Sequence, residues 1–419
     1  VVSLFHQDDV SSSGTLMSRM AQNQKIEYGS DIFNKGIEQF KGNISDVISM
    51  AKEQNIPIII STLASNLKDQ KPFIYDQAND SKNANLVFNK AKKEYDNSNF
   101  EKADSLFRIA KDLDQLRFRA PEKINLVIKE FGKNFKVPIV DSDSLLSQIC
   151  DNRIIGDQVM TDHLHLTLDG YHELGKFFYD KMNQLNLLPN EKPKYVFELQ
   201  DSMTKENFLF SNLDSTIAAF KLKILKNDWP FKNKNKLSFN SLIKQNNFVD
   251  SLAAKSVNNE LDWHKAHLNL ANYYIKKKIL SKFIEEIKIL IFQYPIITEY
   301  YEMLITELIS HQMYDEAYEY LMKNYNISKN HFSTKWLGIV ELSRRDFTKS
   351  IQFLEESFNY DKNDAQVYYN LAGAYSQIRN YKTALDYINK CLNINSNYAG
   401  AANLKSQLEN ILLNQNKVK

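Results

Sequence analysis

The sequence predicts a chain in two parts, an α/β region followed by an all-α stack. Three observations predict it. Before residue 190, strand-like apolar runs alternate with helical stripes; after residue 263, a helix-turn-helix pattern recurs four times; a Lys/Asn-rich helical stretch joins the two. The expected boundaries are 1–189 for the α/β region, with a helical hairpin inserted at 84–117, then 190–262 for the linker, 263–397 for four repeats and 398–419 for a capping helix and tail.

In the first part, Phe33, Ile37, Phe40, Ile44, Val47 and Ile48 form one helical stripe, which leads through Asn55 into the apolar run Ile56–Ile60, expected as a buried strand. A second strand, Val137–Val140, follows a helix from Pro121 to Phe131. A further helix after Thr167 turns Tyr171, Leu174, Phe178 and Leu185 inward. Nearly all-apolar strands alternating with helices predict a parallel sheet covered on both faces, of which two strands are visible. Within the insertion, Ala91, Phe100, Ala103, Phe107 and Ala110 form one helical hairpin, which has to lean on its surroundings to bury its apolar side. The linker carries Phe208, Leu213, Ile217, Phe220, Leu222 and Leu225 as helical stripes, with Trp229-Pro230-Phe231 as a break.

The four repeats start near His264, Thr298, His331 and Ala365. The last shows the pattern best: Tyr368, Leu371, Ala372 and Tyr375 on a first helix, Tyr381 at the turn, then Ala384, Ile388 and Cys391 on a second. Small residues sit where two helices must touch, as Gly338 and Ser350 do one unit earlier. The period and these positions resemble the tetratricopeptide repeat, which implies a superhelix that binds a protein or peptide partner on its concave face.

Net charge is only +2, from 53 Lys and Arg against 51 Asp and Glu, interspersed, so no nucleic-acid groove and no polybasic membrane patch is expected. The two cysteines, Cys150 and Cys391, fall in different predicted parts and exclude a disulfide framework. No run approaches the roughly 18 apolar residues of a membrane span. No cofactor is expected, and His163, His165 and His172 with one acidic neighbour make a poor metal site.

Sites in open parallel sheets form at the carboxyl ends of strands. After the first strand comes the polar loop Ser61–Phe73; well after the second comes Thr161-Asp162-His163-Leu164-His165, followed by Gly170-Tyr171. At a separation of three, the Asp162 carboxylate can accept the imidazole Nδ1 proton of His165 and leave Nε2 free as a general base. Asp162-x-x-His165 with Gly170-Tyr171 and the helix behind it resembles the last conserved block of the SGNH (GDSL-type) hydrolases. The proline usual after the histidine is Leu166 here. The layout also resembles a bacterial group in which such a domain, of incomplete flavodoxin-like form in this chain, carries an inserted tetratrico hairpin, an Arg117-Phe118-Arg119-Ala120-Pro121 segment, a Trp-Pro-Phe linker and a tetratrico tail.

The resemblance implies a serine esterase, a carbohydrate O-deacetylase acting on an acyl ester among the options, in the cell envelope or periplasm. Asp162 and His165 are its catalytic pair. Its serine nucleophile and oxyanion donors belong to blocks expected upstream of Val1, so a chain starting there is expected to be inactive; Ser11–Ser13 and Gly14 follow no apolar strand and read as a lead-in. Asn66 either donates to an oxyanion or caps the next turn. Arg119 either pairs with an anionic group of the substrate or stitches the insertion to its domain, and Ser65 lines the same loop. The alternative function is a non-catalytic tetratricopeptide scaffold for protein–protein interaction.

Overall fold

The computed structural model describes residues 25–77, 80–189, 194–231 and 235–417; the Ser11–Gly14 lead-in lies outside them. The chain divides into two compact units, residues 1–200 with 219–244, and residues 201–218 with 245–419.

The first unit contains α1 (Asp31–Glu53), β1 (Ile60–Ser61), α2 (Ala84–Asp96), α3 (Phe100–Leu113), α4 (Glu122–Asn134), β2 (Ile139–Val140), α5 (Ser142–Ile149) and α6 (Leu168–Gln184). α1 starts where Ser30 Oγ accepts the Phe33 amide at 3.3 Å. Its inward stripe, Phe33, Ile37 and Ile48, packs with Ile124, Val127, Ile128 and Phe131 of α4 and with Val137. In the α2–α3 hairpin Ala91, Ala103 and Ala110 are fully buried, which lets Phe88 and Phe107 meet with ring centroids 5.3 Å apart. The hairpin buries its open side on Leu67 and Ile154. Arg108 fastens it to Asp143 at 2.8 Å, and Lys111 to Glu122 at 2.6 Å.

The fold class expected for this part is corrected by the sheet. β1 and β2 run parallel, pairing Ile60 with Ile139 and Ser61 with Val140, and they are the only strands among the described residues. Among the described residues a flavodoxin-like, SGNH-type parallel sheet covered on both faces is therefore not present. Two prolines explain part of the difference. Pro57 and Pro138 have no amide hydrogen, so each apolar run loses a ladder donor at its start, and pairing begins only at Ile60 N to Pro138 O, 3.1 Å. Ile56, expected inside a buried strand, is 59% exposed, and Tyr171, expected inward, is half exposed. Apolarity alone marked these runs as strands, and it does not supply the neighbours a ladder needs.

Between residues 194 and 257 lie α7 (Phe197–Glu206), α8 (Asn212–Lys226), α9 (Phe239–Leu242) and α10 (Phe248–Val257). The second unit then stacks helix pairs: α11 (Trp263–Lys276) with α12 (Leu280–Gln293), α13 (Thr298–Ser310) with α14 (Tyr314–Ile327), α15 (His331–Ser343) with α16 (Phe347–Ser357), and α17 (Ala365–Gln377) with α18 (Tyr381–Ile394). α19 (Ala401–Lys417) follows. The period is visible in the backbone. Each pair turns through one left-handed residue, Lys278, Gln312, Arg345 and Arg379, with φ between 60° and 65°. Ser98 does the same in the α2–α3 hairpin, at φ 63°. Leu270, Ala271, Ile287 and Leu290 in the first pair, and Leu371, Ala372, Ala384, Ile388 and Cys391 in the last, are buried to completion. Asn330 caps α15 through a reciprocal bond with Ser333, and Asp364 caps α17 by accepting the Gln366 and Val367 amides. Among the described residues no helix is long and apolar enough to cross a membrane.

Candidate functional site

Among the described residues, one place in each unit has the geometry of a site. The first is the turn that carries Asp162 and His165. It is closed by Thr161 N donating to His165 O at 2.7 Å and by the antiparallel bridge between Met160 and Leu166. Inside the turn Asp162 Oδ1 accepts the Leu164 and His165 amides at 2.9 and 2.8 Å, and Oδ2 lies 2.7 Å from His165 Nδ1. Burial pushes the Asp162 carboxyl up, but the two amides and the imidazole outweigh it and hold the group below its ordinary value. The carboxylate is 2% exposed while the His165 side chain is 56% exposed. A buried acceptor on Nδ1 with Nε2 toward solvent is the arrangement of a general base. The Thr161 hydroxyl donates to the His165 carbonyl at 3.1 Å, and among the described residues no hydroxyl or thiol is bonded to the His165 imidazole.

His163, one residue before Leu164, is buried against the rings of Phe73, Phe118 and Phe231 at 5.5 to 5.7 Å. Burial drives its imidazole down to about 4 despite the neighbouring Asp162, so it stays neutral at physiological pH. It is a wall of the turn rather than a titrating partner.

The other residues expected at the site are buried and engaged. Asn66 Nδ2 donates to Asp157 Oδ1 at 2.7 Å and to the Asp162 carbonyl at 3.2 Å, and its Oδ1 accepts the Asp69 amide at 3.0 Å. Arg119 Nη1 donates to the carbonyls of Asn66 and Gln70 at 2.9 and 3.0 Å, and Nη2 to Asp114 at 3.2 Å. Both face protein groups, and Ser65 is buried beside them. A cavity of about 300 Å³ opens at the carboxyl ends of β1 and β2, where Ser61, Thr62 and Ser142 meet Met160, Leu164, Leu166 and Phe178. Ser61 Oγ lies 2.5 Å from Ser142 Oγ, and neither Asp162 nor His165 lines the cavity.

The second place is a cleft of about 530 Å³ between the third and fourth helix pairs, lined by Leu342, Ser343, Arg345, Phe347, Gly373 and Gln377. Gly373 opens it: a Cβ added there meets nothing within 4 Å. Sequence reasoning placed a partner on the stack but named none of these residues. Their signal was a glycine on an outward helical position, where it weakens a helix without serving a packing contact.

Also missed was a buried cluster in the first pair. His267, fully buried, stands between Glu286 Oε2 at 2.5 Å and Asp214 Oδ1 at 3.2 Å, and Trp263 Nε1 donates to the same Asp214 oxygen at 2.8 Å. Its sequence signal was a histidine at the offset where the second and fourth repeats carry Tyr301 and Tyr368.

The second unit folds as tetratricopeptide-type repeats. No family model and no curated protein matches the chain. Solved structures similar to it include YrrB, described as a TPR protein with an unusual peptide-binding site, at 18% identity over 49% of this chain and 96% of that one, TM-score 0.34. MamA from Desulfovibrio magneticus RS-1 is 16% identical over 37% and 98%, TM-score 0.31. The first TPR of Spaghetti (RPAP3), bound to an HSP90 peptide, is 13% identical over 28% and 93%, TM-score 0.27. The repeat assignment rests on the period, the turns and the packing of this chain's own helix pairs.

Proposed function

We propose that the protein is a protein-interaction scaffold whose tetratricopeptide-type repeats hold a peptide segment of a partner protein. The observation that carries this reading is the open cleft between the third and fourth pairs, with Gly373 leaving space within it while its helix neighbours Leu371, Ala372 and Ala374 are fully buried. A stack of hairpins buries its own apolar sides between neighbours, so an unfilled cleft across two repeats is surface available to a partner. A photo-crosslinking residue at the exposed cleft position Gln377 tests this in the native host. The scaffold reading expects a discrete adduct there and none from the exposed second-helix position Lys382. Equal labelling at both positions contradicts it.

A second reading is favoured by the 2.7 Å contact between Asp162 and His165. In it the pair serves as a general base in the hydrolysis of an acyl ester, with the nucleophile outside the described residues. Turnover of p-nitrophenyl acetate by the full protein, lost in His165→Ala and reduced in Asp162→Asn, supports it; turnover unchanged by His165→Ala removes it.

A further inference from the structure

The turn that carries His165 is held from behind by two buried side chains that make no hydrogen bond to the imidazole. Asn66 grips consecutive carbonyls at the turn's root: its backbone amide donates to His163 O at 3.1 Å and its Nδ2 to Asp162 O at 3.2 Å. Asn66 is itself held. Arg119 donates to the Asn66 carbonyl, and Asp114 anchors Arg119 while also accepting the Phe73 and Ile74 amides at 2.9 and 3.0 Å. Asn66, Arg119 and Asp114 are all at least nine-tenths buried. The line Asp114–Arg119–Asn66 thus starts at the C-cap residue that follows α3 and stops at the backbone of Asp162.

We propose that Asn66 and Arg119 are positioning residues for the Asp162–His165 pair, fixing the carboxylate so that it takes the Nδ1 proton and presents Nε2. The inference rests on the second reading above, that the pair acts as a base. Its physical basis is that a neutral imidazole chooses its tautomer by the hydrogen bond its other nitrogen makes. A carboxylate on a loosened backbone makes that bond in fewer conformers. The α2–α3 hairpin then acts on the site through Asp114, although it supplies no group to it.

The test is the ring ¹⁵N spectrum of His165 in the full chain, recorded near about pH 9, where free imidazole is neutral. Wild type is expected to show the Nδ1–H tautomer. Asn66→Ala is expected to move the tautomer ratio about fivefold toward Nε2–H, the size of one ordinary hydrogen bond lost. Asp162→Ala is the control and must move it at least as far. Near-UV circular dichroism confirms that each variant is folded, and if Asn66→Ala is not, Arg119→Lys is read in the same way. A ratio unchanged in folded Asn66→Ala, or in Arg119→Lys where that variant is read, but shifted in Asp162→Ala, overturns the positioning role and leaves the pair intact. A ratio unchanged in Asp162→Ala overturns the base reading itself, and the inference with it.

Discussion

Gly338 and Leu354 meet where the two helices of the third repeat cross: a Cβ added to Gly338 would lie 2.5 Å from Leu354 Cγ and 3.1 Å from its backbone nitrogen. Ser350 Oγ closes the same crossing by donating to Gly338 O at 2.7 Å. Backbone on one side leaves nowhere for the methyl to go, so Gly338→Ala is expected to cost about 1–3 kcal/mol by overpacking. Gly373→Ala, which meets nothing, is expected to gain roughly 0.5–1 kcal/mol from helix propensity. Urea unfolding of the two variants gives midpoints on opposite sides of wild type, and shifts of the same sign would show that the crossing is not tight.

The left-handed turn residues make a second prediction. Gln312 and Arg379, at φ 60° and 62°, carry strain of about 1–2 kcal/mol each that glycine does not feel. Glycine there also loosens the unfolded chain, by about 0.4–1 kcal/mol. Gln312→Gly and Arg379→Gly are therefore expected to raise the unfolding midpoint slightly, and Gln312→Val to lower it. A drop with glycine would mean that these side chains do more than turn the chain.

His267 ties the stability of the repeats to pH. Burial works against its charge, but the hydrogen bonds to Asp214 and Glu286 prevail and raise its value above 6.5. A raised histidine contributes stability that is complete below the unfolded value and disappears as pH rises through the folded one. Glu286 is pushed up by its burial, and its ionisation acts in the same direction. The histidine's part of the melting temperature is expected to hold below about pH 6.5 and decline toward pH 9, while the carboxyl's part is lost from about pH 4.3 upward. His267→Ala leaves two carboxylates facing each other, and is expected to cost about 3–5 kcal/mol at pH 6 and to flatten that decline. The same slope in the variant would remove the histidine from the account.

Asp162 gives the opposite sign. Its carboxyl is held below the ordinary value, so its contribution is present above the unfolded value of about 3.9 and is lost as pH falls through the folded one. Asp162→Ala strands the Leu164 and His165 amides and is expected to cost about 1–3 kcal/mol at pH 7, with a smaller loss in Asp162→Asn, which keeps an acceptor. Calorimetry at pH 7 and pH 3 separates the two, and an equal cost at both pH values would contradict the carboxylate's role.

The repeats were legible because each unit repeats its packing problem: Ala271, Ala317, Ala372 and Ala384 recur where helices touch, and the observed first helices start at Trp263, Thr298, His331 and Ala365. The sheet was not. Ile56–Ile60 and Val137–Val140 are apolar, yet whether such a run pairs depends on neighbouring strands and free amides, which composition does not report. The contact between Asp162 and His165 is local, three residues apart, and so was visible in the spacing. The roles of Asn66 and Arg119 were left open because most of their partners are distant in sequence: Asp157 and Asp162 for Asn66, and the carbonyls of Asn66 and Gln70 for Arg119. The cleft left one local signal, Gly373 itself, and its other lining residues are brought together only by the stacking of the helix pairs.

The most direct measurement of the scaffold reading is the affinity of a peptide, selected on this protein from a displayed random library, for wild type and for Gly373→Trp. Gly373 lies on an outward position with free space around it, so the indole fills the cleft without disturbing the helix. The account predicts that a selected peptide binds wild type and weakens by at least about tenfold, or about 1.4 kcal/mol, in the folded variant. Equal affinity for both proteins, or a selection that enriches no peptide at all, would contradict it.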